Sequence, residues 1–374
     1  MSKTVQLQAF HEEKGHLTEF AGFTLPLWFK GIIPEALAVR NAAGLFDVSH
    51  MGRAIVEGRD SQKLLDHLWT NDVSSLKLGQ GHYSLICNPD GGIKDDGLVF
   101  RLKDEEYLIV YNAGNREKDL QWIQANSAGF TAKITDISDD VAMFAVQGPK
   151  ARQITQSLSN SNILGVPRFG CAWSEINGSR VLVSRTGYTG EDGFEVFVWD
   201  ATVSDPTKAR VVWNKLLEAG GPVGLEPCGL GARDLVRLEA GLCLYGTDMD
   251  ETTNPFEARL GFVVKLNKKF IGCEKLKAVK ASGTPRVRAG LVTERRVIPR
   301  HGFTIIRDGR QVGTVTSGSL SPLLNTGIAM GYVEKGVAEE GAFVEVRVRD
   351  RNEMAKIVKP PFYDTTRFGY ARTC

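Results

Sequence analysis

The texture of the chain changes at Ala281-Ser282-Gly283-Thr284-Pro285. Upstream, strand and helix signals alternate at irregular spacing. Downstream, from Arg286, short β segments are separated by glycines with little helical pattern, at 288–292, 303–307, 311–316, 328–333 and 343–348. Regular turns between short strands predict a small all-β barrel or sandwich, with 281–285 as the linker. At 374 residues the chain is too long for one ordinary core, and two or three domains are expected.

The upstream part carries a weak internal repeat. Ala54-Ile55-Val56-Glu57-Gly58 reads as a strand entering a turn, and a helix follows from Asp60 to Leu68 with Asp60 as its N-cap. Phe144-Ala145-Val146-Gln147-Gly148 repeats the strand and turn. Pro149 to Leu158 repeats the helix, with proline at its first position. Aligning Gly58 with Gly148 also aligns Leu64 with Ile154 and Leu68 with Leu158. The pattern predicts two similar α+β units, each an antiparallel sheet backed by helices; chance likeness of two strand-turn-helix stretches is the alternative. Further strands are predicted at 106–112, 131–137 and 180–186. Helices are predicted at 115–126, 206–218, from Leu230 onward, and briefly at 274–280.

Composition excludes whole classes of function. Hydrophobic content of 42% and charged content of 24% are those of a soluble globular protein. A net charge of +2, with Lys and Arg scattered among Asp and Glu, argues against a general nucleic-acid or anionic-membrane binder. No apolar run reaches the length of a transmembrane helix. The start, Met1-Ser2-Lys3-Thr4-Val5-Gln6, has no signal or transit pattern, so a cytoplasmic location is expected. Cys87, Cys171, Cys228, Cys243, Cys273 and Cys374 lie far apart without a C-x-x-C, and the six histidines are equally dispersed. Neither a disulfide framework nor a metal site is expected.

Four segments carry chemistry. Gly91-Gly92-Ile93-Lys94-Asp95-Asp96 reads as a glycine turn delivering two adjacent carboxylates onto the strand Leu98-Val99-Phe100. Successive strand side chains point to opposite faces, so both acids cannot face water if one face is buried. A buried carboxylate needs a partner or a task, and a structural turn pair and a working acid both fit. Phe46-Asp47-Val48-Ser49-His50-Met51 invites a triad reading, but neighbours on one strand rarely form one. Buried polar groups bonding the backbone are favoured there. Ser184 to Glu195 is a glycine-punctuated loop between strands. Tyr188 offers it a flat face and Glu195 a bidentate acceptor, a pair suited to a heterocycle with adjacent N–H donors. Gly229-Leu230-Gly231-Ala232-Arg233-Asp234 enters a helix. An anion site with Arg233 as partner and an ordinary capped helix both fit.

Taken together these segments resemble the aminomethyltransferase of the glycine cleavage system, its T-protein, almost end to end. The resemblance also runs through Phe20-Ala21-Gly22, Gln147-Gly148-Pro149, Leu238 to Leu242, Leu244-Tyr245-Gly246, Asn254-Pro255-Phe256-Glu257, Thr314 to Gly318, and Pro361-Phe362-Tyr363. It implies an α+β cloverleaf of three domains. Two interwoven α+β domains with antiparallel sheets would occupy 1–280, the second roughly 54–140, and an all-β barrel or jelly roll 285–374. It implies transfer of a one-carbon unit from the aminomethyl-lipoyl arm of an H-protein to tetrahydrofolate. The products would be 5,10-methylenetetrahydrofolate and ammonia, with folate in a central channel where domains meet. By the resemblance Asp96 matches the catalytic carboxylate, able to stabilise developing positive charge or relay a proton. Glu195 would hold the aminopyrimidine edge, Tyr188 and Tyr83 would pack near the folate, and Met51, Val110 and Asn112 would line the channel. Arg233 would lie near the mouth used by the lipoyl arm or the folate tail.

Three positions depart from the family pattern: Phe23 in place of Trp, Gly97 in place of Leu after Asp96, and Cys273 in place of Lys. The first and third read as surface or packing changes, and glycine at 97 is expected to loosen the strand beside the carboxylate. The enzyme alternative is a folate-dependent demethylase acting on a methylated amine, sulfonium compound or aryl ether. The non-enzyme alternative is a folate-binding scaffold for iron–sulfur maturation, discounted because Cys273 follows Ile271-Gly272 rather than Lys-Gly. A processed mitochondrial chain, resident in the matrix, would read alike.

Overall fold

The computed structural model describes residues 2–373, so Met1 and Cys374 lie outside the described residues. The chain forms two compact units. One comprises Met1–Leu68, Asp72–Ser84 and Asp96–Asp234; the other comprises Trp69–Asn71, Leu85–Asp95 and Leu235–Cys374.

The first unit opens with helix α1 (Gln8–Lys14), a hairpin of β1 (His16–Phe20) and β2 (Phe23–Trp28), and α2 (Ile32–Asn41). Two sheets follow, threaded one inside the other. The chain enters the six-stranded sheet at β3 (Ala43–Asp47) and leaves it for the strands of the five-stranded sheet. Those are β4 (Gly52–Glu57), β5 (Gly81–Cys87), β6 (Ile93–Lys103), β7 (Glu106–Tyr111) and β8 (Lys133–Asp136), with α3 (Ser61–Leu68) after β4 and α4 (Arg116–Ala125) after β7. It then returns through β9 (Ala142–Gln147), α5 (Ala151–Leu158), β10 (Cys171–Ile176), β11 (Ser179–Ser184), β12 (Gly193–Val198), α6 (Thr207–Gly220) and β13 (Leu225–Pro227). Helix α7 (Leu230–Glu239) leads out. The strand orders are β5-β6-β7-β4-β8 and β10-β11-β12-β9-β3-β13. The pairs β10–β11, β11–β12, β12–β9, β3–β9, β4–β7, β4–β8 and β6–β7 are antiparallel, while β13 joins β3 in parallel, a junction that the expectation of antiparallel sheets did not include. β9 and β12 are buried on both faces, and Phe144, Val146, Val196 and Trp213 fill the core between sheet and helices.

The internal repeat is real and has a spacing of 90 residues. β4 matches β9 and α3 matches α5 residue for residue at that offset, and both strands exit through a glycine at positive φ, Gly58 (121°) and Gly148 (132°). Side-chain caps repeat too: Asp66 accepts the Val73 N–H at 2.9 Å, and Gln156 accepts the Ile163 N–H at 2.8 Å. The copies meet at equivalent residues. Gln80 bridges Gly170, the Gly81 N–H donates to Phe169 O at 2.7 Å, and the Cys171 N–H donates to Gly79 O at 2.7 Å. Each of those two bonds maps onto the other when the copies are exchanged, which is the signature of a local twofold. Element ends moved slightly from expectation. Pro149 precedes its helix by two residues, and the Asp60 carboxylate accepts from Thr131 N–H (3.0 Å) and Lys63 (2.8 Å).

In the second unit, α8 (Cys273–Ser282) leads to a closed barrel ordered β14-β17-β16-β15-β18-β19. Its strands are β14 (Arg286–Thr293), β15 (Thr304–Arg307), β16 (Arg310–Ser321), β17 (Thr326–Glu334), β18 (Phe343–Val348) and β19 (Arg351–Val358). Leu291, Ile305, Val315, Val333, Val346 and Ile357 fill the interior. In the same unit the buried Arg237 guanidinium donates to Asp248 (2.6 Å) and Ser317 (3.0 Å), and Ser317 donates to Asp248 (2.7 Å).

Candidate active site

The Gly91-Gly92 turn is held from within. The Asn88 side-chain oxygen accepts the N–H of Asp90 (3.1 Å) and of Gly92 (2.9 Å). Gly91 takes φ +83°, and a Cβ at Gly92 would stand 1.8 Å from the carbonyl oxygen of Glu251. The Ile93 N–H then donates to Thr253 O at 2.9 Å, fixing where β6 begins. Along that strand Asp95 is fully buried and Asp96 half-buried, as alternation demands.

The Asp96 carboxylate is clamped from two neighbouring strands. Tyr83 on β5 donates its hydroxyl to Oδ2 at 2.8 Å, and Asn112 after β7 donates Nδ2 to Oδ1 at 2.7 Å. A neutral donor on each oxygen fixes the plane of the carboxylate. Pairings Gly52↔Tyr111↔Gly97 and Arg53↔Val110↔Leu98 put Met51, Asn112 and Asp96 at one end of the sheet, with Val110 on the same face as Asn112. Gly97 does not loosen this register. The ladder is regular beside it, and the irregularity lies further on, between Arg101 and Lys103. The other two departures are packing changes, since Phe23 and Cys273 are both buried.

A second locus forms around Glu195 on β12. It pairs with Ser184, and the Thr186 hydroxyl donates to its Oε2. Ser184 and Thr186 are themselves 2.6 Å apart. Burial pushes the Glu195 carboxyl above its ordinary range, against the opposing pull of the Thr186 bond and the Arg233 charge. Side-chain bonds hold the loop beside it. Gln147 Nε2 donates to Thr186 O (3.0 Å), Thr189 donates to Gln147 Oε1 (2.9 Å), and Arg40 donates to Thr189 O (2.8 Å) and Glu191 (3.0 Å). Arg185 closes the base with two bonds to Asp192, at 2.9 and 2.6 Å. The Arg233 guanidinium lies over the Tyr188 ring at 4.8 Å, a cation–π contact that presents both side chains together.

The segment from Phe46 to Met51 connects the two loci. Phe46 pairs with Ala145, which pairs with Glu195, and five residues later Met51 immediately precedes Gly52, on the rung of Tyr111 and Gly97. Within it Asp47 and Ser49 bond the backbone, as expected of buried polar groups. Asp47 accepts the Ser49 N–H at 2.9 Å, and the Ser49 hydroxyl accepts the Met143 N–H at 3.0 Å. His50 lies against Phe20 and Phe23 with Nδ1 sealed from solvent. Burial drives its imidazole well below the ordinary range, reinforced by the charges of Arg233 and Arg53, so it is neutral. Three residues escaped the sequence reading: Ser184 and Thr186, and Arg53, whose buried guanidinium bonds the carbonyls of Ser49 and Ser138. An arginine between Gly52 and the apolar run Ala54-Ile55-Val56 was the available signal for the last.

Tetrahydrofolate chemistry fits this donor set. A buried carboxyl suits an amine–imine edge, the Tyr188–Arg233 pair suits a flat ring and an anionic tail, and a clamped carboxylate suits a nitrogen that gains charge. A separate 280 Å³ cavity, lined by Lys30, Pro34, Glu35, Ala38, Asn41 and Glu226 among others, contains none of these residues. Among the described residues no group of His, Cys, Asp or Glu could hold a metal ion, and no helix is long and apolar enough to cross a membrane.

Both parts of the chain match the two-domain pattern of one class of transferase-like proteins. Residues 7–268 match the family model described as the GCVT N-terminal domain, and residues 286–364 match the glycine cleavage T-protein C-terminal barrel domain. The chain belongs to the glycine cleavage T-protein family. It is 45% identical over 363 residues to an aminomethyltransferase of Halothermothrix orenii, covering 97% of this chain and 100% of the relative. It is 41% identical over 397 residues to a probable aminomethyltransferase of Pyrococcus horikoshii, covering all of both. The crystal structure of glycine cleavage system aminomethyltransferase T from Bartonella henselae superposes with a TM-score of 0.89 at 32% identity, covering 97% of this chain and 98% of that one. The expected α+β class with a C-terminal barrel is borne out. These relatives lend the demethylase alternative no support.

Proposed function

We propose that the chain takes the one-carbon unit from the aminomethyl group on the lipoyl arm of an H-protein and passes it to tetrahydrofolate. The products are 5,10-methylenetetrahydrofolate and ammonia. The enzyme is thus a tetrahydrofolate-dependent aminomethyltransferase of glycine cleavage, working in the cytoplasm beside its carrier. Residues 1–280 bind folate and 285–374 form the barrel domain.

The observation that carries the site assignment is the Asp96 carboxylate clamped by Tyr83 and Asn112. Transfer creates positive charge on the carbon–nitrogen centre, and a preoriented anion stabilises it without reorganising. Asp96 is therefore the catalytic residue. Glu195 accepts the N–H edge of the pterin, Tyr188 packs on the folate with Arg233 behind it, and Met51, Val110 and Asn112 line the channel. The neutral His50 adds no cation of its own beside that rung.

The test supplies aminomethylated H-protein and tetrahydrofolate and follows both products in parallel. Stoichiometric methylenetetrahydrofolate and ammonia are expected. Folate binding with neither product refutes the assignment.

A further inference from the structure

A cavity of about 60 Å³ in the second unit is lined by Arg259, Arg288, Lys359 and Glu340. The rest of its lining is glycine, proline or aliphatic, which screens charge less than water does. Among the described residues none of the three cations makes an ion pair, and Arg259, Lys359 and Glu340 make no side-chain hydrogen bond.

Arg288 stands on β14 with its guanidinium anchored. Nε donates to Ala258 O at 3.0 Å, and Nη1 donates to Gly241 O at 2.7 Å and to Met330 Sδ at 2.9 Å, while Nη2 donates to no described residue. Two anchored nitrogens set the plane of the fork, so the third is preoriented for a ligand. Arg259 stands at φ 58°, a left-handed conformation that glycine takes freely and a long side chain rarely. The turn that bears it is tied down. The Leu260 N–H donates to Pro255 O at 2.7 Å, the Asn254 N–H to Glu257 Oε1 at 2.7 Å, and the Arg288 N–H to Glu257 O at 2.8 Å. That turn would be met more easily by glycine. Backbone strain at a residue whose side chain bonds nothing inside the protein points to a ligand.

Three cations against one acid leave the lining with an excess of two positive charges, which a dianion neutralises. A water takes about 10–15 Å³ of such space, so the cavity accommodates about five non-hydrogen atoms, the number in a phosphate. A carboxylate has two oxygens for these donors. A phosphate has three or four, which suits two guanidinium forks and an ammonium.

We propose that this cavity binds a phosphate dianion, free or as the terminal group of a small phosphomonoester, with Arg259, Arg288 and Lys359 on its oxygens. It shares no residue with those assigned to folate.

The test titrates the full-length protein with sodium phosphate by calorimetry, in chloride buffer at about pH 8, where the dianion predominates. The wild type is expected to show a single saturable site, and its melting temperature to climb with phosphate concentration. Arg259→Gly and Lys359→Gln should each raise the Kd about tenfold, the loss of one charge-assisted hydrogen bond. Glu340→Gln removes the one acid and should lower the Kd about threefold, a gain that no loss of structure would produce. Unliganded Arg259→Gly should melt within about 3 °C of wild type, since glycine takes φ 58° without strain. Methyl phosphate decides the source: binding as tight as the free ion or tighter assigns the terminal group of an ester, and weaker binding assigns the free ion. No saturable binding of either phosphate by wild type overturns the proposal. So do unchanged Kd values in both Arg259→Gly and Lys359→Gln, or tighter binding of an oligoglutamate than of phosphate.

Discussion

Replacing Asp96 by asparagine removes a charge while keeping a shape. In the native site Tyr83 donates to one carboxylate oxygen at 2.8 Å and Asn112 to the other at 2.7 Å. The amide can turn its oxygen to Asn112 Nδ2 and its NH₂ to the Tyr83 oxygen, which accepts as readily as it donates. Both contacts survive as neutral bonds, each weaker by about 1 kcal/mol than its charge-assisted form. Asp96 is half-buried, so solvent offsets part of that loss, and stability should fall by no more than about 1–2 kcal/mol. Catalysis loses much more. The anion facing the developing charge is gone, and turnover should drop about 10²–10⁴-fold, or about 2.7–5.5 kcal/mol of barrier. Steady-state methylenetetrahydrofolate formation gives kcat, and urea unfolding of the same preparations gives stability. Tyr83→Phe alone should cost about tenfold, and much less when added to Asp96→Asn, because its role is to aim that carboxylate. Turnover of Asp96→Asn within about threefold of wild type, in a folded protein, would refute the reasoning.

Glu195→Gln should separate binding from stability. A carboxyl whose folded pKa is raised contributes stability below its unfolded value, about 4.3, and loses it as pH rises through the folded value. Glutamine cannot ionise, so the melting-temperature advantage of the variant over wild type should grow between acid and neutral pH while folate affinity falls; a pH-independent offset would contradict this. Gly92→Ala drives a Cβ to within 1.8 Å of the Glu251 carbonyl oxygen, and the backbone shift should cost about 1–3 kcal/mol in urea unfolding and lower kcat through a displaced Asp96. Arg237→Met leaves Asp248 a buried charge without its cation, and chemical denaturation should show a loss of about 3–5 kcal/mol.

What was legible from sequence was what local pattern encodes. The glycine turn with its acid pair, the repeat at Gly58 and Gly148, and the barrel after Pro285 each depend on residues close in the chain. The resemblance put Tyr83 near the folate and Asn112 along the channel, but the clamp on Asp96 was not legible, because both reach it by strand register, thirteen and sixteen residues away. Thr186 escaped notice because a hydroxyl in a glycine loop looks like ordinary turn chemistry until the hairpin folds it back onto Glu195. β19 was missed because Arg351-Asn352-Glu353-Met354-Ala355-Lys356 puts polar residues even at inward positions, and barrel closure rather than apolar alternation makes it a strand.

The repeat explains why the site cannot itself be repeated. At the 90-residue offset β5 starts at Gly81 and β10 at Cys171, yet by the next strand the offset has shrunk to 84, since the Arg101 N–H donates to Gln80 O as the Arg185 N–H donates to Gly170 O. The missing six residues lie in the hairpin. The second copy turns tightly through Asn177 (φ 48°) and Gly178 (φ 74°), while the first spends Asn88 to Gly92 on the turn and extends the strand beyond it. In register the mate of Asp96 is Arg180, an exposed residue paired with Glu175. The mate of Glu195, by the β4–β7 and β9–β12 ladders, is the buried Leu108. Each carboxylate proposed to function therefore stands where the other copy carries a residue of different chemistry. A twofold scaffold serves an asymmetric ligand only if its copies diverge where the ligand binds. Here the divergence is a lengthened hairpin in one copy and a glycine loop in the other.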